Sequence, residues 1–142
     1  MVVDLNAYLQ FQSEAREALE FYQQVFGGEL DISTFGDYEL NEDPADADLV
    51  MHGMLETDNG LAFMASDTPV GMEYSGIRGV SLALFGTLED EVELRQYWDA
   101  LTEGGQVQMP LEQAPWGDYF GQLVDRYGVN WMFDFGDPQE DD

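Results

Sequence analysis

The pattern of apolar and polar positions predicts two similar halves, each made of one strand, one helix and three further strands. Leu5 to Phe11 alternates apolar with polar residues, as a half-buried strand does. Apolar residues then recur at helical spacing up to Phe26, with Ser13 predicted as the helix cap and Gly27-Gly28 as its end. Glu29 to Phe35 predicts the second strand of this half.

A repeated hairpin pattern closes each half. Val50 to Met64 predicts a strand, a turn and a second strand, and the same pattern returns from Asp118 to Met132. At one constant spacing the matched pairs are Gly53 and Gly121, Leu55 and Leu123, Gly60 and Gly128, Phe63 and Trp131, and Met64 and Met132. The repeat predicts that one structural module occurs twice.

The second half follows the order of the first. Val80 to Phe85 predicts a strand, Thr87 to Asp90 a capping box, and Leu94 to Leu101 a helical stripe. Gln106 to Met109 predicts a strand that Pro110 breaks. We therefore expect an α+β fold in which two βαβββ modules form a curved, roughly eight-stranded mixed sheet with helices on its convex face.

The expected organisation is a single domain. Its parts are a first module at about 1–67, a linker at 68–79, a second module at about 80–135 and an acidic tail at 136–142. Gly36 to Asp48 predicts an acidic loop, which either covers a cavity mouth or is a solvated surface loop.

The charge is extreme for a chain of 142 residues. Thirty acidic residues face four basic ones, all of them Arg, for a net charge of −26. Nucleic acid and anionic membranes are therefore expected to be repelled. Such self-repulsion needs screening by salt, so we hypothesise a halophilic setting, with a merely acidic mesophilic protein as the alternative.

The cysteine content, the apolar runs and the N-terminal residues indicate the cellular compartment. The absence of cysteine excludes disulfides and Cys-ligated metal sites. No apolar run approaches the roughly 20 residues of a membrane helix, and the first residues lack the pattern of a signal peptide. We expect a cytoplasmic protein.

Several segments, taken in order, resemble a known family. They are Tyr8-Leu9-Gln10-Phe11, Glu17 to Tyr22, Val25 to Leu30, Val50-Met51-His52, Met64 to Asp67, Gly104-Gly105, Trp116-Gly117 and Asp125 to Trp131. Together they resemble the PhnB-like group of the vicinal oxygen chelate superfamily, which includes glyoxalase I, bleomycin-resistance proteins and extradiol dioxygenases. The resemblance implies paired βαβββ modules, a homodimer and pockets on a concave sheet face, but it does not fix the reaction.

The resemblance also implies where metal ligands would lie. The superfamily's metal enzymes place His or Glu on the first and last strands of each module. The corresponding positions here are Asn6 or Ala7, Gly79 to Ser81, Met64 and Met132. None of these is a usual ligand for a hard or borderline divalent ion. We therefore expect no metal ligand and no cofactor, with a divalent metal as the disfavoured alternative.

The candidate site residues are one histidine and a set of aromatic and polar neighbours. His52 is either a hydrogen-bonded, partly buried structural residue or a cavity-lining donor and general base, which makes it the catalytic candidate. The ligand-binding candidates are Tyr8, Gln10, His52, Trp116, Tyr119 and Trp131. The alternative for Trp131 and Tyr119 is plain sheet core.

Three functions remain open from the sequence. The first is metal-independent binding of a small hydrophobic or aromatic molecule. The second is a divalent-metal-dependent, glyoxalase-like lyase, isomerase or dioxygenase. The third is a metal-free enzyme with His52 as its general base. The expected partners are a small-molecule ligand and a second copy of the chain.

Overall fold

The computed structural model describes residues 6–40, 43–69, 72–74, 76–77 and 79–137. The chain divides into two compact units, with the boundary between positions 78 and 79. Each unit contains one sheet and one α-helix, so the predicted α+β class is confirmed. In the described part of the chain, no helix is long and apolar enough to span a membrane.

The first unit is a four-stranded mixed sheet with one helix. Its elements are β1 (Ala7–Phe11), α1 (Ala15–Phe26), β2 (Glu29–Thr34), β3 (Val50–Glu56) and β4 (Ala62–Asp67), with 3₁₀ turns at Gly36–Tyr38 and Pro44–Asp46. The strand order is β1-β4-β3-β2, with β1 parallel to β4 and the other neighbours antiparallel.

The second unit has the same order of elements. They are β5 (Ser81–Thr87), a 3₁₀ turn (Leu88–Asp90), α2 (Glu91–Thr102), β6 (Gln106–Gln113), β7 (Tyr119–Val124) and β8 (Asn130–Gly136). The strand order β5-β8-β7-β6 matches that of the first sheet, and β5 is again parallel to β8. The predicted pair of βαβββ modules is confirmed, with the eight strands in two four-stranded sheets.

In each unit the helix packs on one face of its own sheet. In the first, the Tyr22 ring on α1 meets Phe63 on β4 edge-on, with centroids 5.3 Å apart. In the second, Trp98 on α2 meets Phe133 on β8 in the same way at 5.2 Å. Side chains alternate between the faces of a strand, so the remaining positions project from the other face, here called the helix-free face.

The matched glycines of the repeated hairpin lie where the helix comes closest to the sheet. A Cβ atom at Gly53 would overlap the side chain of Leu19 on α1. A Cβ atom at Gly121 would lie 2.8 Å from the Trp98 ring on α2 and 2.9 Å from the backbone of Leu111. Each helix can therefore lie close to the third strand of its module only because that strand has no side chain at this point.

The predicted helix cap at Ser13 is wrong. Helix α1 begins at Ala15, and its N-cap position, Glu14, makes no side-chain cap hydrogen bond. The Ala15 N–H instead donates to Oδ1 of Asp67 on β4, at 2.8 Å. The Ser13 hydroxyl donates to the Glu14 carboxylate and so does not reach the helix donors. A carboxylate distant in sequence has taken the expected role.

The predicted strand break at Pro110 is also wrong, because β6 continues through it to Gln113. Strand β6 lies at the edge of its sheet, where one side of the backbone needs no ladder partner. Its register with β7 shifts between Val107 and Met109 and again between Met109 and Glu112. Proline lacks an N–H donor, and these irregularities at an edge accommodate it.

The predicted capping box in the second half is confirmed. The Thr87 N–H donates to Oδ2 of Asp90 at 2.8 Å, and the reciprocal bond is also present.

The predicted first strand and the predicted tail lie partly outside the described residues. Leu5, the predicted start of the first strand, is not described. Gly136, the first residue of the predicted tail, is the last residue of β8. The tail from 138 onward is likewise outside the described residues.

Candidate functional site

The centre of the helix-free face of the first sheet carries two thioether side chains. Met64 on β4 is the register partner of Tyr8 on β1 and of Met54 on β3. Both methionines are half-buried. Strand alternation places His52 on the same face as Met54, and its register partner on β2 is Ser33. An aromatic ring, an imidazole and two thioethers therefore form one continuous patch.

Tyr8 and His52 touch across this patch. The hydroxyl oxygen of Tyr8 lies 3.5 Å from Nδ1 of His52, and the ring centroids are 5.9 Å apart. This distance is at the long end of the hydrogen-bond range, so the contact is a weak one. The other imidazole nitrogen, Nε2, has no partner among the described residues and can meet a ligand.

Gln10 lies two residues beyond Tyr8 on β1, is exposed, and has Ser66 as its register partner. The structure thus brings Tyr8, Gln10 and His52, predicted separately from the sequence, onto one face of one sheet. Their role in ligand binding stays a prediction. The sequence marks Met64 as a repeat position and as an unsuitable ligand for a hard metal, but it does not predict the pairing with Met54, because β-sheet register is not visible in a single sequence.

The remaining candidates belong to the second unit. Trp116, in the turn between β6 and β7, is 66% exposed and meets the Phe120 ring edge-on, with centroids 6.0 Å apart. Tyr119 stacks on Phe135 at 5.2 Å, and the Arg95 guanidinium lies 5.5 Å from both ring centroids. Tyr119 is therefore held by its own module, whereas Trp116 presents an open ring.

Trp131 lies in the core of the second unit and is only 3% exposed. Its indole Nε1–H donates to Oδ2 of Asp125 at 2.9 Å, which satisfies the one polar atom of the side chain. The other carboxylate oxygen of Asp125 accepts the backbone N–H of Tyr127 and of Val129 in the hairpin turn. These contacts tie the tryptophan to its own turn.

A divalent metal ion of the kind the superfamily uses does not fit the residues present. Among the described residues, no three His, Cys, Asp or Glu side chains lie close enough together to hold one. The matching positions on the last strand of each module carry Met64 and Met132, whose thioether sulfur is a soft donor. Hard and borderline ions prefer oxygen and imidazole donors, so these positions do not suit such an ion.

Two carboxyl groups meet on the second unit beside a cavity of about 320 Å³. Burial raises the pKa of Asp134, and the hydrogen bond and charge of Asp118 raise it further. Both residues line the cavity together with Phe85 and Thr87. Asp134 therefore retains its proton to a higher pH than an exposed aspartate does. The sequence gives no signal for this pair, since the two lie sixteen positions apart in the chain.

A second cavity, of about 420 Å³, lies in the first unit where β1 and β4 end. Its lining includes Ser13, Asp46, Thr68 and Tyr74. Burial raises the pKa of Tyr74, and the nearby charge of Glu14 adds to this. The 36–48 segment, which the sequence offers either as a cover or as a surface loop, contributes Asp46 to the wall, and that side chain is buried.

Comparison with known proteins gives one family. The family model described as 3-demethylubiquinone-9 3-methyltransferase matches residues 4–133. Protein PA1353 of Pseudomonas aeruginosa is 37% identical, with a TM-score of 0.81 over 96% of this chain and 100% of that one. The PhnB protein of Bacillus cereus is 29% identical, with a TM-score of 0.73 over 94% and 99%.

A more distant structure shows the wider fold. A glyoxylase/bleomycin resistance protein/dioxygenase domain from Frankia sp. EAN1pec is 10% identical, with a TM-score of 0.62 over 99% of this chain and 96% of that one. At this identity the likeness concerns the fold alone. The fold agrees with the predicted resemblance to the vicinal oxygen chelate superfamily, and the family model together with the Bacillus cereus structure confirms the PhnB-like group.

Proposed function

The chain belongs to the PhnB-like family of the vicinal oxygen chelate superfamily, and from that premise we propose that it binds a small hydrophobic or aromatic molecule without a divalent metal. The proposed binding surface is the helix-free face of the first sheet. The observation that carries the proposal is the register pair of Met54 and Met64, with Tyr8 beside it and His52 in contact with Tyr8.

The chemistry of this patch suits an aromatic or apolar ligand. Methionine side chains are flexible and polarisable, so a pair of them adapts to an irregular apolar surface and makes favourable contacts with aromatic rings. The Tyr8 ring, 46% exposed, adds a flat apolar surface with a hydroxyl at its end. His52 and Gln10 supply polar groups at the margin, which fix the orientation of a ligand in such sites.

The net charge of the protein restricts the class of ligand further. A molecule with a charge of −26 repels anions on approach, although molar salt shortens the range of this repulsion to roughly 3 Å. Neutral or cationic compounds therefore fit better than phosphates or carboxylates. The thioethers at the centre of the patch are poor partners for anionic groups, because they offer no hydrogen-bond donor.

Equilibrium binding in the presence of a chelator tests the proposal. A library of neutral aromatic and apolar metabolites, with quinones included because the family description names demethylubiquinone, is screened by native mass spectrometry in EDTA. For a ligand so found, Met64→Gln should weaken binding roughly tenfold, since a polar amide replaces a thioether of similar shape. The matched control is Met132→Gln, at the same position of the second sheet, which should leave the affinity unchanged.

Two results would overturn the proposal. One is equal weakening by Met64→Gln and Met132→Gln, which would place the ligand elsewhere or show a general effect on the fold. The other is a screen in which no compound binds in EDTA but one binds when a divalent metal replaces the EDTA. Circular dichroism of both variants reports whether the folded state is retained.

A further inference from the structure

Two thioethers and one imidazole lie on the helix-free face of the first sheet. Met54 and Met64 are direct register partners on neighbouring antiparallel strands, so their Cβ atoms lie about 4.5–5.5 Å apart. Each thioether has three rotatable bonds, which lets both sulfur atoms turn toward one point. Both side chains are half-buried, so they are partly shielded from water yet reachable.

His52 completes the set. It precedes Met54 by two residues on β3, which places the two on the same face at roughly 6.6 Å along the strand. Its Nδ1 faces the Tyr8 hydroxyl at 3.5 Å, and Nε2 has no partner among the described residues. A histidine that binds a metal through one nitrogen usually has its other nitrogen held by an oxygen, and Tyr8 is placed to provide it.

We propose that His52, Met54 and Met64 form a binding site for Cu(I). Thioether donors select this soft monovalent ion, whereas the divalent ions of the superfamily's enzymes need carboxylate or imidazole clusters that the described residues do not form. The sulfur donors that do not suit a hard divalent ion are thus suited to a soft monovalent one. This inference goes beyond the proposed function, because the site needs no organic ligand.

The negative charge around the proposed site attracts cations but does not decide which cation binds. Asp31 on β2 is the register partner of Met54, and Glu56 lies on the same strand as His52 and Met54. Together with the net charge of −26, these carboxylates raise the local concentration of any cation. Selection among cations comes from the sulfur atoms, since carboxylates favour hard ions.

The second unit provides a control within the same molecule. At the equivalent place, Met132 on β8 has Ala83 and Gln122 as its register partners. Gln122 in turn faces Met109 on β6. The chain contains one histidine, so this second sheet has thioethers but no imidazole. A soft ion should therefore distinguish the two units.

Titration with Ag(I), a soft monovalent probe that does not change oxidation state, tests the site in the full chain. Protein freed of metal is titrated in potassium nitrate, because chloride precipitates silver. Cu(I) is measured separately without oxygen, in competition with bicinchoninate. We expect about one tightly bound ion per chain, binding at least tenfold weaker in Met64→Leu and in His52→Gln, and unchanged binding in Met132→Leu. Leucine replaces methionine at nearly constant volume, so the variants should fold.

The proposal is overturned if the wild type binds no stoichiometric Ag(I), or if Met132→Leu weakens binding as much as Met64→Leu does. Zn²⁺ in excess should not displace the probe, and displacement would also count against a soft site. The organic-ligand screen in EDTA is repeated with a Cu(I) chelator added, so failure of that screen leaves the silver result standing, and the reverse also holds.

Discussion

Replacing Asp67 with alanine should destabilise the first unit by about 3 kcal/mol. Asp67 is 6% exposed, and its carboxylate accepts two backbone hydrogen bonds. Its Oδ1 takes the N–H of Ala15, the first residue of α1, at 2.8 Å, and its Oδ2 takes the N–H of Val50, the first residue of β3, at 2.9 Å. One side chain on β4 therefore anchors the start of a helix and the start of a strand.

The size of the effect follows from what alanine leaves behind. The first N–H groups of a helix have no partner within it, so the Ala15 donor depends on Asp67. A negative charge at this end also interacts favourably with the helix dipole. Each buried N–H donor that loses its acceptor costs roughly 1–3 kcal/mol of stability, and the substitution leaves two such donors without one.

Urea unfolding at constant KCl concentration measures this difference. The matched control is Asp31→Ala, at an exposed position on β2, which should change stability by less than about 0.5 kcal/mol. Asp67→Asn should fall between the two, because an amide keeps one acceptor but turns a donor toward the other N–H. An Asp67→Ala variant as stable as the control would show that the two hydrogen bonds do not hold the unit together.

The second large effect concerns salt. We expect the melting temperature to rise by on the order of 10 °C between about 0.1 M and about 2 M KCl, because screening removes several kcal/mol of repulsion among the carboxylates. Four arginines cannot neutralise thirty acids, even where pairs such as Arg95 with Glu91, at 2.8 Å, do form. This rise is the expected mark of a protein adapted to a high-salt cytoplasm.

A charge variant separates screening from other effects of salt. Replacing Glu20 on α1 with glutamine and Asp99 on α2 with asparagine, both at exposed positions outside the first helical turn, removes two negative charges without touching the core. The double variant should melt higher than the wild type at low salt and at nearly the same temperature at high salt. A wild-type melting temperature that does not change across the KCl series would contradict the halophilic hypothesis.

The fold was predictable because its strongest signals are local and occur twice. Gly60 and Gly128 close the two hairpin turns with φ angles of 91° and 85°, which glycine adopts without strain. The sequence marked Gly53 and Gly121 as matched, but their close approach to α1 and α2 is known only from the packing. The strand break predicted at Pro110 is wrong because a single sequence does not say which strand lies at a sheet edge, where proline is tolerated.

The candidate site was predictable in part for the same reason. The alternation of Tyr8 and Gln10 along β1 is visible in the sequence. Their placement beside Met64 depends on the parallel pairing of β1 with β4, whose residues are far apart in the chain. Asp67 and Ala15 are likewise separated by 52 positions. A local sequence pattern therefore predicts Ser13 as the helix cap and cannot identify Asp67, whose carboxylate accepts the first N–H of α1.

Methyl NMR of protein labelled with ¹³C at the methionine methyl groups shows whether a ligand contacts the Met54 and Met64 side chains. The chain has seven methionines, whose signals can be assigned by single substitutions to leucine. With a ligand bound in the presence of EDTA, we expect the methyl signals of Met54 and Met64 to shift and those of Met109 and Met132 to stay unchanged. Shifts confined to Met109 and Met132, with Met54 and Met64 unmoved, would contradict it.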